Sequence, residues 1–180
     1  MEQNGTKRSF RTIELAYIAF GAALIAVCAW ISIPFTVPFT MQLFAVFFVL
    51  TLLGGRNGTI AVAVYLLLGA VGIPVFSGFK AGFGVLIGMT GGYLVGMLLI
   101  GIVYWLMTKL MKKSVWIELA AFVIGLLLCY AFGTLWFTLL NSEKGFGAAL
   151  MICVVPFLLP DAVKLGTAYL IGRKLRSLIP

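Results

Sequence analysis

Apolar residues follow one another along this chain in long blocks, and polar residues are confined to the short breaks between them. The runs at residues 16–33, 41–53, 84–107 and 117–140 approach or exceed the roughly 20 residues that an α-helix needs to cross the hydrocarbon core of a bilayer. Lipid, rather than water, is the solvent that suits such runs. The pattern predicts a membrane protein with several transmembrane helices.

Proline, glycine and polar residues divide the apolar blocks into six predicted helices, at about 13–33, 39–54, 58–72, 85–110, 115–140 and 160–176. The last helix is expected to begin near Pro160, because proline is tolerated at the first helical position and disfavoured deeper. Residues 145–157 are predicted to form a short re-entrant or tilted segment. The sequence therefore predicts an all-α protein with one integral membrane domain over residues 1–180 and an embedded core at about 12–176.

The composition agrees with this pattern, since 63% of the residues are hydrophobic and 10% are charged. A soluble domain has roughly 45–50% apolar and about 25% charged residues. Three basic residues precede the first apolar run, as in a signal peptide, but the run is too long for one and further spans follow it. We therefore interpret it as the first transmembrane helix.

The basic residues are distributed unequally between the two sides of the predicted bundle. With six spans, two cations fall on one side, Lys80 and Lys144. Ten fall on the other side: Lys7, Arg8, Arg11, Arg56, Lys109, Lys112, Lys113, Arg173, Lys174 and Arg176. The positive-inside rule then places both termini in the cytoplasm. The net charge of +8 is thus explained by topology, and no nucleic-acid partner is expected.

Several classes of function lack the residues that they require. The chain has no histidine and five acidic residues, and its three cysteines follow no metal-binding spacing, so we expect neither a metal site nor acid–base catalysis. No Gly-x-x-x-x-Gly-Lys-[Ser/Thr] loop is present, so any ATP hydrolysis must come from a partner. We expect a protein that is not an enzyme and has no cofactor.

The stretch "VVPFLLPDAVKLG" (154–166) places an acid and a base in an apolar segment. A charged side chain at mid-membrane costs roughly 2.5–3.5 kcal/mol on insertion scales and usually faces a cavity. At the i, i+3 spacing, Asp161 and Lys164 share a helix face. One interpretation is a structural pair, with Asp161 in the first turn favoured by the helix dipole. The other is a binding site for a polar molecule, which we favour because a buried pair rarely stabilises a protein.

Two further segments on the predicted outer side carry candidate ligand-binding residues. The loop "VFSGFKAGFGVLIGMTGGY" (75–93) offers Phe76, Lys80 and Tyr93, and "VPFTMQ" (37–42) ends in Gln42. A flexible turn with a solvated lysine, or an interhelical hydrogen bond from the glutamine, explains these residues equally well. Gly88, Gly92 and Gly96 recur every four residues, which permits another helix to pack closely.

Helix one carries small residues at the spacing that forms a flat strip for helix contacts. The strip consists of Ala19, Ala22, Ala23 and Ala26. Because this pattern is common in membrane bundles, it indicates a contact surface without identifying its partner.

Taken together, "VPFTMQ", "YLLLGAVGIPVFSGF", "GMTGGYLVG" and "PFLLPDAVK" resemble, in order and spacing, the BioY family, the biotin-specific substrate-binding (S) components of energy-coupling factor (ECF) transporters. The resemblance covers about residues 12–175. It implies a six-helix S-component bundle in a prokaryotic cell membrane, with a high-affinity biotin site near the outer side that is closed by loops.

The resemblance also implies partners and residue roles. Partners would be a transmembrane coupling subunit, contacted by the alanine strip, and two ATP-binding subunits that power release by toppling the S component. Asp161 and Lys164 match the substrate contacts of the family. Some members also use a loop asparagine and an arginine after Gly-Gly-Tyr, positions at which this chain has Lys80 and Leu94. The arginine role therefore does not carry over, and Lys80 is our candidate for the missing cation.

One alternative from a different class stays open at this point. A self-sufficient secondary transporter for biotin or a related vitamin would carry a proton on Asp161 or Glu14. Internal inverted repeats would support that interpretation, and the sequence shows no sign of them.

Overall fold

A computed structural model of the chain describes residues 12–34, 37–111, 114–141 and 145–177, and helices account for most of them. The α-helices are α1 (Thr12–Trp30), α2 (Gln42–Ala70), α3 (Phe83–Ile87), α4 (Gly91–Leu110), α5 (Val115–Leu140), α6 (Phe146–Cys153) and α7 (Val155–Arg176). Two short strands, β1 (Ser32–Ile33) and β2 (Phe39–Thr40), and a 3-10 turn at Ser77–Phe79 complete the described elements.

Helix α2 is a helical hairpin rather than one straight rod. Gly54 adopts φ 79° and ψ 168° inside it, a conformation that a residue with a Cβ rarely takes. Gln42 Nε2 lies 2.9 Å from Tyr65 Oη although 23 positions separate the two residues, a distance of about 34 Å along a straight helix. The halves at 42–53 (α2a) and 55–70 (α2b) are therefore antiparallel, and they correspond to the second and third predicted helices.

The predicted bundle of six helices is confirmed, with α1, α2a, α2b, α4, α5 and α7 as its members. Helices α1, α2, α4 and α5 are long and apolar enough to cross a membrane, and α6 with α7 forms a further candidate span that is bent by 42°. With the antiparallel halves of α2 counted separately, the number of passes is six, which places Thr12 and Arg176 on the same side. The positive-inside rule makes that side cytoplasmic.

The structure corrects two predicted boundaries. Helix α7 begins at Val155 instead of Pro160, with Pro156 in its first turn and Pro160 inside it. A proline inside a helix removes one backbone donor, and this helix continues past that loss. Asp161 consequently lies in the second turn, so the predicted favourable position at the helix N-terminus is wrong. The predicted fourth helix is also divided into α3 and α4, because the backbone at Gly88 is extended.

Glycines set the close contact between α4 and α5. A Cβ on Gly92 would overlap Trp136 Cβ, and a Cβ on Gly96 would lie 3.1 Å from the Cα of Cys129. The predicted role of these two glycines in helix packing is thereby confirmed, whereas Gly88 lies in the break before α4. Helix α2 packs against α1, α4 and α7 and so occupies the centre of the bundle.

The outer end of the bundle is covered by the strands and the loop before α3. Strands β1 and β2 pair in antiparallel fashion, with Ser32 opposite Thr40 and Ile33 opposite Phe39. Trp30 Nε1 donates to Pro74 O at 2.9 Å, and the Trp30 ring stacks on Phe79 at 5.0 Å. These contacts tie the end of α1 to the glycine-rich loop.

Candidate functional site

Asp161 and Lys164 form the buried ion pair that their spacing predicts. Lys164 Nζ lies 2.8 Å from Asp161 Oδ1, and the two residues are 6% and 1% exposed, respectively. A charge buried to this degree requires a partner, and each residue supplies one for the other. Helix α7 provides both groups, three positions apart on one face.

Two other elements complete the surroundings of the pair. Tyr130 on α5 donates its hydroxyl to Asp161 Oδ2 at 2.6 Å. Lys164 Nζ lies 4.0 Å from the centroid of the Phe39 ring on β2, within the range of a cation–π interaction. The carboxylate is thus bound through both oxygens, and the ammonium is covered by an aromatic face. Three elements distant in sequence fix the position of the two charges.

The pair lines a small cavity, here called cavity A, with a volume of about 60 Å³. Tyr130, Cys129 and Cys153 form its wall beside Asp161, and Phe157 and Tyr93 form other parts of its lining. The charges therefore face a space and are not enclosed wholly by side chains. A pair that faces a cavity agrees with the favoured interpretation of a binding site. The direct contact between the two charges agrees with the other interpretation, a structural ion pair.

Cavity B adjoins cavity A and has a volume of about 80 Å³. The two cavities share Val37, Pro38, Thr40, Tyr93 and Met97 in their linings. The remaining predicted ligand-binding residues, Gln42, Phe76 and Lys80, line cavity B. The fold thus brings all six predicted residues to one region at the outer end of the bundle.

The predicted residues of cavity B have distinct local roles. Gln42 donates to Tyr65, which agrees with the interhelical hydrogen bond considered above. The Tyr93 hydroxyl lies 2.9 Å from Thr134 Oγ1, and Phe76 packs edge-on against the Tyr65 ring at 5.6 Å. Lys80 is exposed, so its ammonium is available to an anion that enters from outside.

An apolar cleft, cleft C, lies beside cavity A and has a volume of about 400 Å³. Its lining includes Ile33, Pro156, Pro160 and the ring pair of Phe39 and Phe157, whose centroids are 6.1 Å apart. Phe157 and Val37 also line cavity A. This aromatic pair is therefore the partition between an apolar cleft and the buried charges.

The alanine strip on α1 is divided by the structure. Ala22 and Ala26 are 2% and 6% exposed, so in this conformation no partner helix can touch them. Ala19 and Ala23 are exposed. The predicted contact surface is therefore reduced to these two alanines and the exposed Phe20 and Val27 beside them.

Sequence reasoning missed Tyr130, the strand pair and the lining residues Cys129, Cys153 and Met97. No local signal distinguishes Tyr130 from the other tyrosines, because its role depends on the packing of α5 near α7. Leu94, at the position where some family members have arginine, is 7% exposed and lines cavity B. Lys80 and Leu94 therefore border the same cavity.

The chemistry that this region supports is recognition. It offers carboxylate oxygens as acceptors, lysine ammonium groups as donors, and aromatic walls, which suits a ligand with N–H groups, an anionic group and an apolar body. Within residues 12–34, 37–111, 114–141 and 145–177, no group of three histidine, cysteine or acidic side chains is arranged to hold a metal ion.

Comparisons with known proteins agree on one family. The profile described as the BioY family matches residues 1–180. The chain is 46% identical to "Biotin transporter BioY" of Thermotoga maritima over 87% of this chain and 91% of that protein. It is 38% identical to "Biotin transporter BioY2" of Lactococcus lactis subsp. cremoris over 84% of this chain and 83% of that protein.

A solved structure has the same fold. It is the crystal structure of the S-component for biotin from an ECF-type ABC transporter, with a TM-score of 0.82 and 26% sequence identity. The match covers 94% of this chain and 95% of that one.

Replacing Tyr130 by phenylalanine should destabilise the ligand-free protein more than replacing Tyr93 by phenylalanine. The first change removes a hydrogen bond to a buried carboxylate, which contributes about 1.5–3 kcal/mol, and the second removes one to a neutral hydroxyl, which contributes about 0.5–1.5 kcal/mol. Thermal unfolding of both purified variants in the same detergent measures the difference. Equal losses of stability would show that Asp161 does not depend on Tyr130.

Proposed function

Because the chain belongs to the BioY family, we propose that it is the biotin-binding S component of an ECF-type transporter in a prokaryotic cell membrane. It is a transport component and not an enzyme, and ATP is hydrolysed by its partner subunits. Family membership favours this function over the proton-coupled carrier, which would work without an ATPase.

The observation that carries the proposal is a pair of opposite charges, buried at the outer end of α7, that face a cavity instead of being enclosed. Biotin has a ureido ring with two N–H donors and a carbonyl, an apolar sulfur-containing ring, and a carboxylate on a flexible chain. Asp161 would accept from the ureido N–H groups, since each carboxylate oxygen has capacity for a second hydrogen bond. Lys164 would donate to the ureido carbonyl or to the carboxylate.

The aromatic residues would hold the apolar part of the ligand. Cavities A and B measure about 60 and 80 Å³, well below the roughly 300 Å³ of a typical small-molecule site. Cleft C, with about 400 Å³, lies directly behind Phe39 and Phe157. Binding would therefore require these two rings to separate, so that the cavity gains room from the cleft. Phe76, Gln42 and Tyr93 would form the opposite wall.

The partners expected for this component are a transmembrane coupling subunit and two ATP-binding subunits. Ala19 and Ala23 would form the contact with the coupling subunit, because they are small and exposed on α1. Small residues permit the backbones of two membrane helices to approach closely. The buried Ala22 and Ala26 instead permit α1 to pack within the bundle.

Purified protein should bind biotin with a stoichiometry near one at micromolar or lower concentration, and Asp161→Asn should weaken this binding by about 10- to 100-fold. Loss of a desolvated, charged hydrogen bond corresponds to about 1.5–3 kcal/mol, and the asparagine amide would also present donors to Lys164. Isothermal titration calorimetry in detergent measures both quantities.

Thr167→Val is the matched control for that substitution. It is nearly isosteric, lies on the same helix, and removes a hydroxyl that donates to the Val163 and Lys164 carbonyls. Its affinity for biotin should equal that of the natural chain. Absence of saturable binding to the unaltered protein would refute the function, whereas equal affinity of Asp161→Asn would return the ion pair to a structural role.

Lys80→Gln should weaken the binding of biotin but leave the binding of biotin amide unchanged. If the ammonium holds the carboxylate, then removing either group abolishes the same interaction, and the two losses are not additive. Calorimetry of the natural chain and of Lys80→Gln, each with biotin and with biotin amide, gives the coupling energy between the ammonium and the carboxylate directly. Lys174→Gln on the last turn of α7 is the control for charge alone. Additive losses would assign the carboxylate to another cation.

Ala19→Trp and Ala23→Trp should abolish co-purification with the coupling subunit while leaving the affinity for biotin unchanged. The indole would fill the space needed for close helix contact, and both positions already face outward. Leu127→Trp, at an outward position on α5 that is 57% exposed, is the control. Complexes that survive both alanine substitutions would place the docking surface elsewhere.

A further inference from the structure

The residue directly before Lys80 has a strained backbone. Phe79 has a φ of 57°, and among the residues that the structure describes no other non-glycine residue has a positive φ. The left-handed region is disfavoured for a residue with a bulky side chain, so a phenylalanine stays in it only where surrounding contacts hold it there. The cause of this conformation bears on the outer site, because Lys80 is the proposed partner of the ligand's carboxylate.

The contact that holds Phe79 comes from the end of α1. The Phe79 ring stacks on Trp30, the last residue of α1, with ring centroids 5.0 Å apart and an interplanar angle of 26°. Trp30 Nε1 also donates to Pro74 O at 2.9 Å, so the indole is fixed at its polar edge as well. The energy of an aromatic pair is of the same order as the cost of one left-handed residue. The Trp30–Phe79 stack can therefore keep Phe79 in its strained conformation.

The same turn is anchored on its inner side by Phe76. The Phe76 N–H donates to the Lys80 carbonyl at 3.1 Å and closes residues 76–80 into a tight turn. Phe76 is 1% exposed, and its ring lies so close to Gly69 that any Cβ there would overlap it. Phe79, by contrast, is 63% exposed. Two aromatic contacts, one in the core and one at the end of α1, thus fix the backbone from which the Lys80 side chain projects.

The Trp30–Phe79 stack has no direct access to a ligand in the outer cavities. Lys80 lines cavity B, whereas Trp30 and Phe79, both described by the structure, belong to the lining of neither cavity A nor cavity B. If Phe79 returned to a negative φ, the peptide unit that leads into Lys80 would rotate, since φ and ψ are the soft dihedrals of the chain. The ammonium of Lys80 would then be directed away from cavity B.

We propose that Phe79, held by Trp30, is a positioning residue for Lys80, and that it thereby sets the preference of the outer site for a ligand with a carboxylate over the same ligand without one. The inference rests on the proposed function, because it assigns the biotin carboxylate to Lys80. Loss of the stack removes the contribution of Lys80 to binding although its ammonium is still present. The rest of the ligand, held by Asp161 and Lys164, is bound as before.

Calorimetry on the full-length chain in detergent tests the proposal with Phe79→Ala. The substitution should weaken the binding of biotin about three- to tenfold, between the effects of losing an exposed and a buried charged contact. It should leave the binding of biotin amide unchanged, which also shows that the variant is folded. Added to Lys80→Gln, it should cause no further loss, because both changes remove the same interaction.

Three further variants separate the stack from a general effect of the loop. Phe79→Tyr keeps the stacked ring and should bind biotin as the natural chain does. Trp30→Ala removes the other half of the stack and should reproduce the effects of Phe79→Ala on both ligands. Phe83→Ala is the matched control, since Phe83 follows four positions later and is 64% exposed. It should leave the affinity for both ligands unchanged.

Several outcomes would overturn the proposal while leaving the proposed function intact. One is unchanged biotin affinity in Phe79→Ala, and another is unchanged affinity in Lys80→Gln, which would leave no contact to be positioned. Equal weakening of biotin and biotin amide would assign the stack to the stability of the whole site. A further loss when Phe79→Ala is added to Lys80→Gln would show that the two residues act separately. Absence of biotin binding to the natural chain would instead refute the function itself.

Discussion

The interaction on which the outer region depends is the three-way contact among Asp161, Lys164 and Tyr130. Two opposite charges among lipid-spanning helices are tolerable only when each has a partner, and this requirement fixes the distance between α7 and α5. Phe39 covers the ammonium from above, so the same requirement also places the strand pair. The position of the outer cavity therefore follows from the need to give one buried carboxylate and one buried ammonium their hydrogen-bond partners.

The features that the sequence predicted correctly depend on residues that are close together along the chain. The i, i+3 spacing predicted the ion pair, the glycine spacing predicted that another helix packs closely at Gly92 and Gly96, and the breaks in hydropathy predicted six helices. Each of these properties is set within one helix or by its composition. Tyr130 could not be predicted in this way, because its contact with Asp161 spans 31 positions and depends on how α5 and α7 are arranged in the bundle.

Two errors have the same origin, which is that local rules were given too much weight. Proline was expected to begin a helix, but packing keeps α7 helical through Pro160 and places Asp161 in the second turn. Four alanines at helical spacing were assigned to one surface, yet a helix in a bundle has neighbours on more than one side. Ala22 and Ala26 face the interior, and Ala19 and Ala23 face outward.

The turn at Gly54 has a consequence for the depth at which a ligand is held. Residues 42–53 rise about 18 Å, whereas the hydrocarbon core is about 30 Å thick. The turn at Gly54 lies at the inner surface beside Arg56, so α2a ends before it reaches the outer surface of the hydrocarbon core. The strand pair occupies the depth that α2a does not reach. Non-helical backbone survives there only because it is enclosed by protein or borders a cavity. A ligand held beside Gln42 thus lies about two-fifths of the way through the hydrocarbon core before any helix moves.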